Sequence, residues 1–411
     1  LILCRSLKKK TPRRFREERE TIVNYKVQTL NNISKKGLKI LSENYTVLDH
    51  PENPDALLLR SFQMHDMDIP ESVKFVGRAG AGVNNIPLEK CSEQGIVVCN
   101  SPGANANAVK ELVIAGMLIS SRKVIDGIAW SGTLVDKGDE VPALVEKGKG
   151  AFGGPELYGK KMGVIGLGAI GVLVANMAVD FGMKVYGFDP FISIDNAWGL
   201  SRKVRRAVSK EEIFKNCDYI SLHIPYMDET KDYVDANLFK DTKKGLRLLN
   251  FARGGLVNYD ALENAIEADT VATYVTDFPN ERLLKMKNVI NIPHLGASTP
   301  ESEENCAEMA IYSLKEYLEN GNIINSVNYP DCNMGVCEAV NRLTVNHANV
   351  KNMLGQITKV LGDHDINISD MTNKHRGAWA YTIIDVDSNV GEEVKTALEA
   401  IEGVARVRIL K

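Results

Sequence analysis

Three ionisable residues stand just beyond short apolar runs. Arg253 closes Asn250-Phe251-Ala252-Arg253 before two glycines, Glu281 follows the run that ends at Asp277, and His294 follows Pro293 and precedes Leu295-Gly296-Ala297-Ser298-Thr299. Runs of this kind read as strands, and the carboxyl ends of parallel strands are where α/β sheets gather ligands. A histidine there can take or give a proton near neutral pH. A carboxylate bonded to it favours the imidazolium, and an arginine can hold a substrate carboxylate with two parallel hydrogen bonds. Base, partner acid and carboxylate clamp are what oxidation of a 2-hydroxy acid demands, provided a hydride acceptor lies alongside.

The segment Gly163 to Gly171, G-V-I-G-L-G-A-I-G, supplies the place for that acceptor. An apolar strand precedes it and a helical pattern follows, the order a dinucleotide turn requires. Gly166 makes the tight turn, Gly168 lets the backbone approach a pyrophosphate, and Gly171 lets helix and strand pack closely. The free N–H groups at the helix start face the phosphates. A second strand ends in Asp189, 23 residues beyond Gly166. An acid there accepts both ribose hydroxyls and repels a 2′-phosphate, so NAD is the expected cofactor. The basic stretch 202–206 is read as a solvated loop; an arginine turned toward Asp189, admitting NADP, is the alternative.

These groups need elements to hold them. Short strands over 25–30, 45–48, 56–59, 73–77 and 96–99, with a helix over 34–41, predict a first parallel-sheet domain. A long helical pattern over 105–122 leaves it. Six strands follow, around Val164 and Val185 and over 219–223, 246–250, 272–276 and 289–292, the count of a complete dinucleotide domain. A helix over 301–319 runs back to the first domain. The expected division is a basic extension at 1–24, a discontinuous substrate domain at 25–106 and 299–329, an NAD domain at 107–298, a linker at 330–340 and a last unit at 341–411. That last unit reads β-α-β-β-α-β, a ferredoxin-like order, with no catalytic motif, which points to regulation or an interface.

Composition excludes several classes. The 411 residues are 44% hydrophobic and 25% charged with a net charge of −3, which suits neither nucleic-acid binding nor a membrane span, and no apolar run is long enough to cross a bilayer. Seven scattered cysteines without a CxxC pair suit a reducing cytoplasm, and Cys332 and Cys337 read as free thiols in the linker, not a metal site. Residues 1–21 carry eight Lys or Arg against three acids and read as a disordered extension. His50, His65, His364 and His375 lie in polar contexts and read as solvated.

The segments 163–171, 250–258 and 293–299, together with Arg78-Ala-Gly-Ala-Gly-Val-Asn84, resemble the signatures of the D-isomer-specific 2-hydroxyacid dehydrogenases, over residues 25 to about 329. The resemblance implies that Arg253 binds substrate, His294 is the acid/base and Glu281 pairs with it. It places Asp277, His223 and Pro225 against the cofactor, with Gly166, Gly168, Ala169, Ile170, Gly171, Asp189, Phe251, Ala252, Arg253, His294 and Gly296. The loop from Thr276 to Glu281 is shorter than the family pattern and lacks its Glu-Pro pair.

The last unit resembles an ACT domain, and the chain is most similar to family members that join one to the oxidation of 3-phospho-D-glycerate in serine synthesis. That similarity implies phosphate binding by Arg60 and Arg78 and carboxylate binding by the N–H groups of Ala81 and Gly82. It implies L-serine as an effector at His347, Asn349 and Asn367, and a homodimer or homotetramer built through the helix at 105–122 and the ACT edges. Lys351-Asn352 stands where many such domains carry Pro-Gly, and Asn tolerates the left-handed turn. Two alternatives remain: another D-2-hydroxyacid such as glycerate, or a nucleotide-sensing co-regulator of the same fold.

Overall fold

The computed structural model describes residues 24–410; the basic extension lies outside the described residues. Three sheets organise the chain. The first contains β1 (Tyr25–Thr29), β2 (Tyr45–Leu48), β3 (Ala56–Leu59), β4 (Phe75–Arg78) and β5 (Val97–Cys99), all parallel in the order β2-β1-β3-β4-β5. Every side chain of β3 is buried, as four successive apolar residues require when both faces are covered.

The helix Pro300–Asn320 returns from far along the chain to cover one face, packing Ala310, Ile311 and Leu314 over Leu58 and Phe75. Its ends follow from local chemistry. Thr299 caps it by accepting the Ser302 N–H at 3.1 Å, Pro300 stands in the first turn, and Gly321 ends it at φ 71°.

The second sheet contains β6 (Lys161–Ile165), β7 (Lys184–Phe188), β8 (Arg205–Arg206), β9 (Tyr219–Leu222), β10 (Leu246–Asn250), β11 (Val271–Thr276) and β12 (Val289–Asn291). All are parallel, in the order β12-β11-β10-β9-β6-β7-β8, which reverses direction beside β6. This is the doubly wound dinucleotide arrangement, whose ligand crevice lies at that reversal. It has one strand more than the six expected. β8 falls in the basic stretch read as a loop, and it pairs with Tyr186 and Gly187 through backbone alone while both arginines stay exposed. No side-chain pattern could announce such a strand.

The helix Ala106–Ser121 packs on this sheet, with Gly116 against Phe251 and Leu249. Beyond it stand two helices that the sequence reading assigned to no element, Val124–Gly132 and Val141–Gly148, neither with a buried residue.

The third sheet is antiparallel, with β13 (Asn341–Ala348), β14 (Ile368–Arg376), β15 (Trp379–Val386) and β16 (Val404–Leu410) in the order β14-β15-β13-β16. Helices Met353–Asp363 and Glu392–Glu399 cover one face over Leu343, Val345 and Ile384. The other face docks on the first domain, where Tyr381 and Ile383 join Tyr317, Leu318 and Tyr329 in one core. Arg408 donates to the carbonyls of Tyr317 and Leu318, both at 2.9 Å, and Tyr381 Oη donates to the Gly321 carbonyl at 2.7 Å.

The connection at 330–340 is fastened along its length. Cys332 exchanges hydrogen bonds with Ile323, Met334 donates to Asn322, and Cys332 and Cys337 are both buried. Arg342 closes it, bound by both arms to Asp385 at 2.6 and 2.8 Å and donating to the carbonyls of Asn320 and Gly335.

Candidate active site

The crevice begins at β6. Gly166 takes φ 88°, which a side chain would resist, and its place is pressed by the His223 carbonyl. A Cβ on Gly171 would strike the Gly166 carbonyl, so only glycine lets the helix Ala169–Asp180 start this close to the strand. Gly168, by contrast, faces open space, the side from which a pyrophosphate would reach the helix N-terminus with Ala169 and Ile170. Asp189 ends β7 beside this turn and accepts the N–H of Leu167 at 2.7 Å and of Phe191 at 2.8 Å. The arrangement fits a dinucleotide.

His223 follows β9, with Pro225 just beyond it. Burial pushes the imidazole pKa down to about 3, so it is neutral; Nε2 meets Ser221 Oγ at 2.8 Å. Phe251 is buried at the end of β10, and after Ala252 the chain turns Arg253 outward. Arg253 donates to the Ala252 carbonyl at 2.7 Å.

Across the crevice lies the loop of the first domain that carries Ala81 and Gly82. A Cβ on Gly82 would stand 3.5 Å from one Arg253 nitrogen and 3.9 Å from one Arg78 nitrogen, so both guanidiniums converge on this backbone. Arg78 is held by Asn85 at 3.1 Å. Burial lowers its pKa, Cys306 opposes this, and the positive charges of Arg253 and Arg60 lower it further. Arg60 reaches the same side and is ion-paired with Glu303 from the first turn of the helix Pro300–Asn320. A cleft of about 280 Å³, lined by Arg60, Lys35, Ala79 and Glu303, opens beside that pair.

On the other wall, His294 is exposed just past β12, and its ring packs on Phe278 at 4.8 Å between centroids. Asp277 ends β11 and is buried. Desolvation raises its pKa, while His294, the N–H groups of Gly296 and Asp277 itself, and Arg253 pull it back down. His294, Asp277 and Arg253 therefore share one electrostatic neighbourhood.

Glu281 does not join them, and this corrects the sequence reading. It opens the short helix Glu281–Lys285, with its side chain 85% exposed and bonded to Lys285 at 2.5 Å. The Asn280 cap starts the helix at Glu281, and the side chain is turned to Lys285. The carboxylate that does lie in this neighbourhood is Asp277, which the sequence reading placed only among the cofactor-lining residues.

In the C-terminal domain, His347 is buried and bonded to Thr382 at 2.9 Å, and Asn349 donates to the Gly377 carbonyl at 3.2 Å. Asn367 donates to Asp387 at 2.8 Å, at the opposite end of the sheet. One chain does not bring the three together. Asn352 does take the left-handed turn, at φ 63°.

Comparison with known proteins agrees with this geometry. Residues 124–296 match the family model described as D-isomer specific 2-hydroxyacid dehydrogenase, NAD binding domain. The chain is 31% identical over 349 residues to a D-3-phosphoglycerate dehydrogenase of Haemophilus influenzae, covering 82% of this chain and 80% of that protein. It is 32% identical to one from Methanocaldococcus jannaschii and 34% to one from Bacillus subtilis, covering 78% and 67% of this chain. It spans only 60% and 52% of those two relatives. Among solved structures, the NAD+-bound 3-phosphoglycerate dehydrogenase of Entamoeba histolytica matches with a TM-score of 0.56 and 26% identity, over 74% of this chain and 99% of that one. The chain belongs to the D-isomer-specific 2-hydroxyacid dehydrogenases, a family whose nucleotide domain binds NAD.

Proposed function

We propose that the chain oxidises 3-phospho-D-glycerate to 3-phosphohydroxypyruvate with NAD, the first step of L-serine biosynthesis. The observation that carries the reading is the convergence of Arg78 and Arg253 from two domains on the backbone at Gly82, with Arg60 near enough for its charge to act on Arg78, beside the wall that bears His294. A substrate that carries both a carboxylate and a phosphate needs a separate cationic site for each.

Bound NAD supplies the hydride acceptor. Arg253 and the N–H groups of Ala81 and Gly82 orient the carboxylate, and Arg78 and Arg60 take the phosphate. His294 receives the hydroxyl proton at an imidazole nitrogen and returns it in the reverse direction. Steady-state assay with a substrate panel tests this: NADH formation with 3-phosphoglycerate and its consumption with 3-phosphohydroxypyruvate are expected. Turnover confined to unphosphorylated 2-hydroxy acids would overturn the substrate assignment.

The C-terminal domain is read as an ACT regulatory unit for L-serine in a homodimer or homotetramer. His347 stands about 23 Å and Asn349 about 30 Å from Asn367 along the strands, so a site using all three takes residues from two chains. Serine inhibition abolished by Asn349→Ala supports that role; serine insensitivity of the wild type would remove it. Six buried thiols without a disulfide among the described residues suit work in the cytoplasm.

A further inference from the structure

We propose that the carboxylate partner of His294 in this chain is Asp277, a positioning residue that acts on the reaction through the imidazole, and that Glu281 takes no part. The inference rests on the dehydrogenase reading above and concerns the residue beside the proton-transferring group.

Strand register puts the two side chains on adjoining loops. Thr276 aligns with Asn291, and Ile292 donates to the Thr276 carbonyl at 2.9 Å, so Asp277 lies beside Ile292 and the chain reaches His294 two residues later. Asp277 is only 1% exposed, and its Oδ1 has no hydrogen-bond partner among the described residues. A buried carboxylate oxygen without a donor is costly, and native proteins rarely leave one. The charged and titratable groups that act on this carboxylate are His294, Arg253 and Tyr274, and of these only His294 is proposed to exchange a proton during the reaction. Gly296 removes the steric obstacle, since a Cβ there would stand 3.3 Å from Oδ2. The Phe278 ring packs against the His294 ring, with centroids 4.8 Å apart, and limits where the imidazole can turn.

Glu281 is directed elsewhere by its own backbone. Asn280 caps the helix Glu281–Lys285 by accepting the Leu283 N–H at 2.9 Å, and Glu281 as its first residue points into solvent toward Lys285. Three residues separate Asp277 from Glu281, and Phe278 and Asn280 already have work at the ring and at the cap.

The test compares Asp277→Asn with Glu281→Gln in the full chain, by pH profiles of kcat/KM and by NMR titration of the His294 ring, assigned with His294→Ala. Removing a partner carboxylate makes the imidazolium easier to deprotonate. Asp277→Asn is therefore expected to move the acid limb, and the His294 titration, down by about one pH unit or more, with kcat reduced at least about tenfold. Glu281→Gln is expected to leave both within about 0.2 unit, because an exposed ion pair contributes little.

A limb that moves in Glu281→Gln overturns the proposal. So does an Asp277→Asn variant that raises KM for NAD while the His294 titration stays in place, since that is the behaviour of a residue that only lines the cofactor. The NMR arm needs no turnover. A wrong substrate assignment shows as absent phosphoglycerate activity with the His294 shift intact, whereas failure of the pairing shows as turnover with an unmoved titration.

Discussion

Arg408 fastens the C-terminal domain to the rest of the chain, and replacing it by methionine isolates what that contact is worth. The side chain is buried, lies 4.4 Å over the Tyr317 ring, and donates to two carbonyls in the last turn of the helix Pro300–Asn320. A cation is favoured there because the carbonyl end of a helix is its negative pole. Methionine keeps most of the stem and removes one charge-assisted hydrogen bond from each carbonyl, which keeps its second donor, the Gly321 N–H at Tyr317 and the Tyr25 hydroxyl at Leu318. At about 1.5 kcal/mol for each, Arg408→Met weakens docking by about 3 kcal/mol, or about a hundredfold in the docked-to-undocked ratio.

The assay uses cysteines already present. Cys332 is sealed in the docked core beside Tyr381, its thiol pKa pushed up to about 11 by burial, whereas Cys217 is buried under the second sheet with its thiol pushed up to about 12. Alkylation followed peptide by peptide should speed at Cys332 by about a hundredfold and leave Cys217 unchanged. If Cys332 accelerates less than about threefold, or the two thiols accelerate together, the docking energy does not reside in Arg408.

Three further outcomes follow from the crevice. Gly171→Ala drives a methyl group into the Gly166 carbonyl; shifting the helix start costs about 1–3 kcal/mol and should weaken NAD binding at least about tenfold, read by fluorescence titration. Glu303→Gln frees Arg60 from its ion pair and should lower KM for the phosphorylated substrate by up to about fivefold, while Arg60→Ala raises it more than about tenfold, both without change in KM for NAD. His223 has a folded pKa of about 3 against an unfolded value of 6.5, so it stays neutral in the fold and takes a proton only on unfolding. Its contribution to stability is full above the unfolded value and is lost as pH falls from about 6.5 toward 3, by up to about 1.4 kcal/mol per pH unit. His223→Gln should make the acid side of the urea-unfolding profile shallower over that window.

What was legible in the sequence was whatever had to be written in residue type at a fixed spacing. The glycine turn could be placed because Gly166 and Gly171 each meet a backbone carbonyl that forbids a side chain. The all-apolar β3 could be read as a strand covered on both sides, since no other placement hides four such residues in a row. The helices Val124–Gly132 and Val141–Gly148 bury no residue within the chain, so apolar side chains such as Val124, Ile125 and Ile128 stand exposed and pointed to no core; Trp130 packs on Phe152 and Gly148 of the same segment. The docking face of the third sheet was hidden for a related reason. Arg342, Thr344 and Asn346 alternate with apolar residues in the manner of a strand with one face in water, yet all three are buried against another domain.

The misplacement of Glu281 has a different origin, because there the residue type was right and the chain length was not. A glutamate beside a histidine loop invites pairing, but whether it can reach is decided by the residues between it and the strand end. In this chain those residues form a cap and a ring contact and spend the available length. The strand end supplies a carboxylate of its own at Asp277, already at the level of the imidazole loop and buried before any substrate arrives. A partner fixed by sheet register is held more rigidly than one carried on a loop. Held at the strand end in this way, the Asp277 carboxylate, and not the glutamate, is the group whose removal His294 should register.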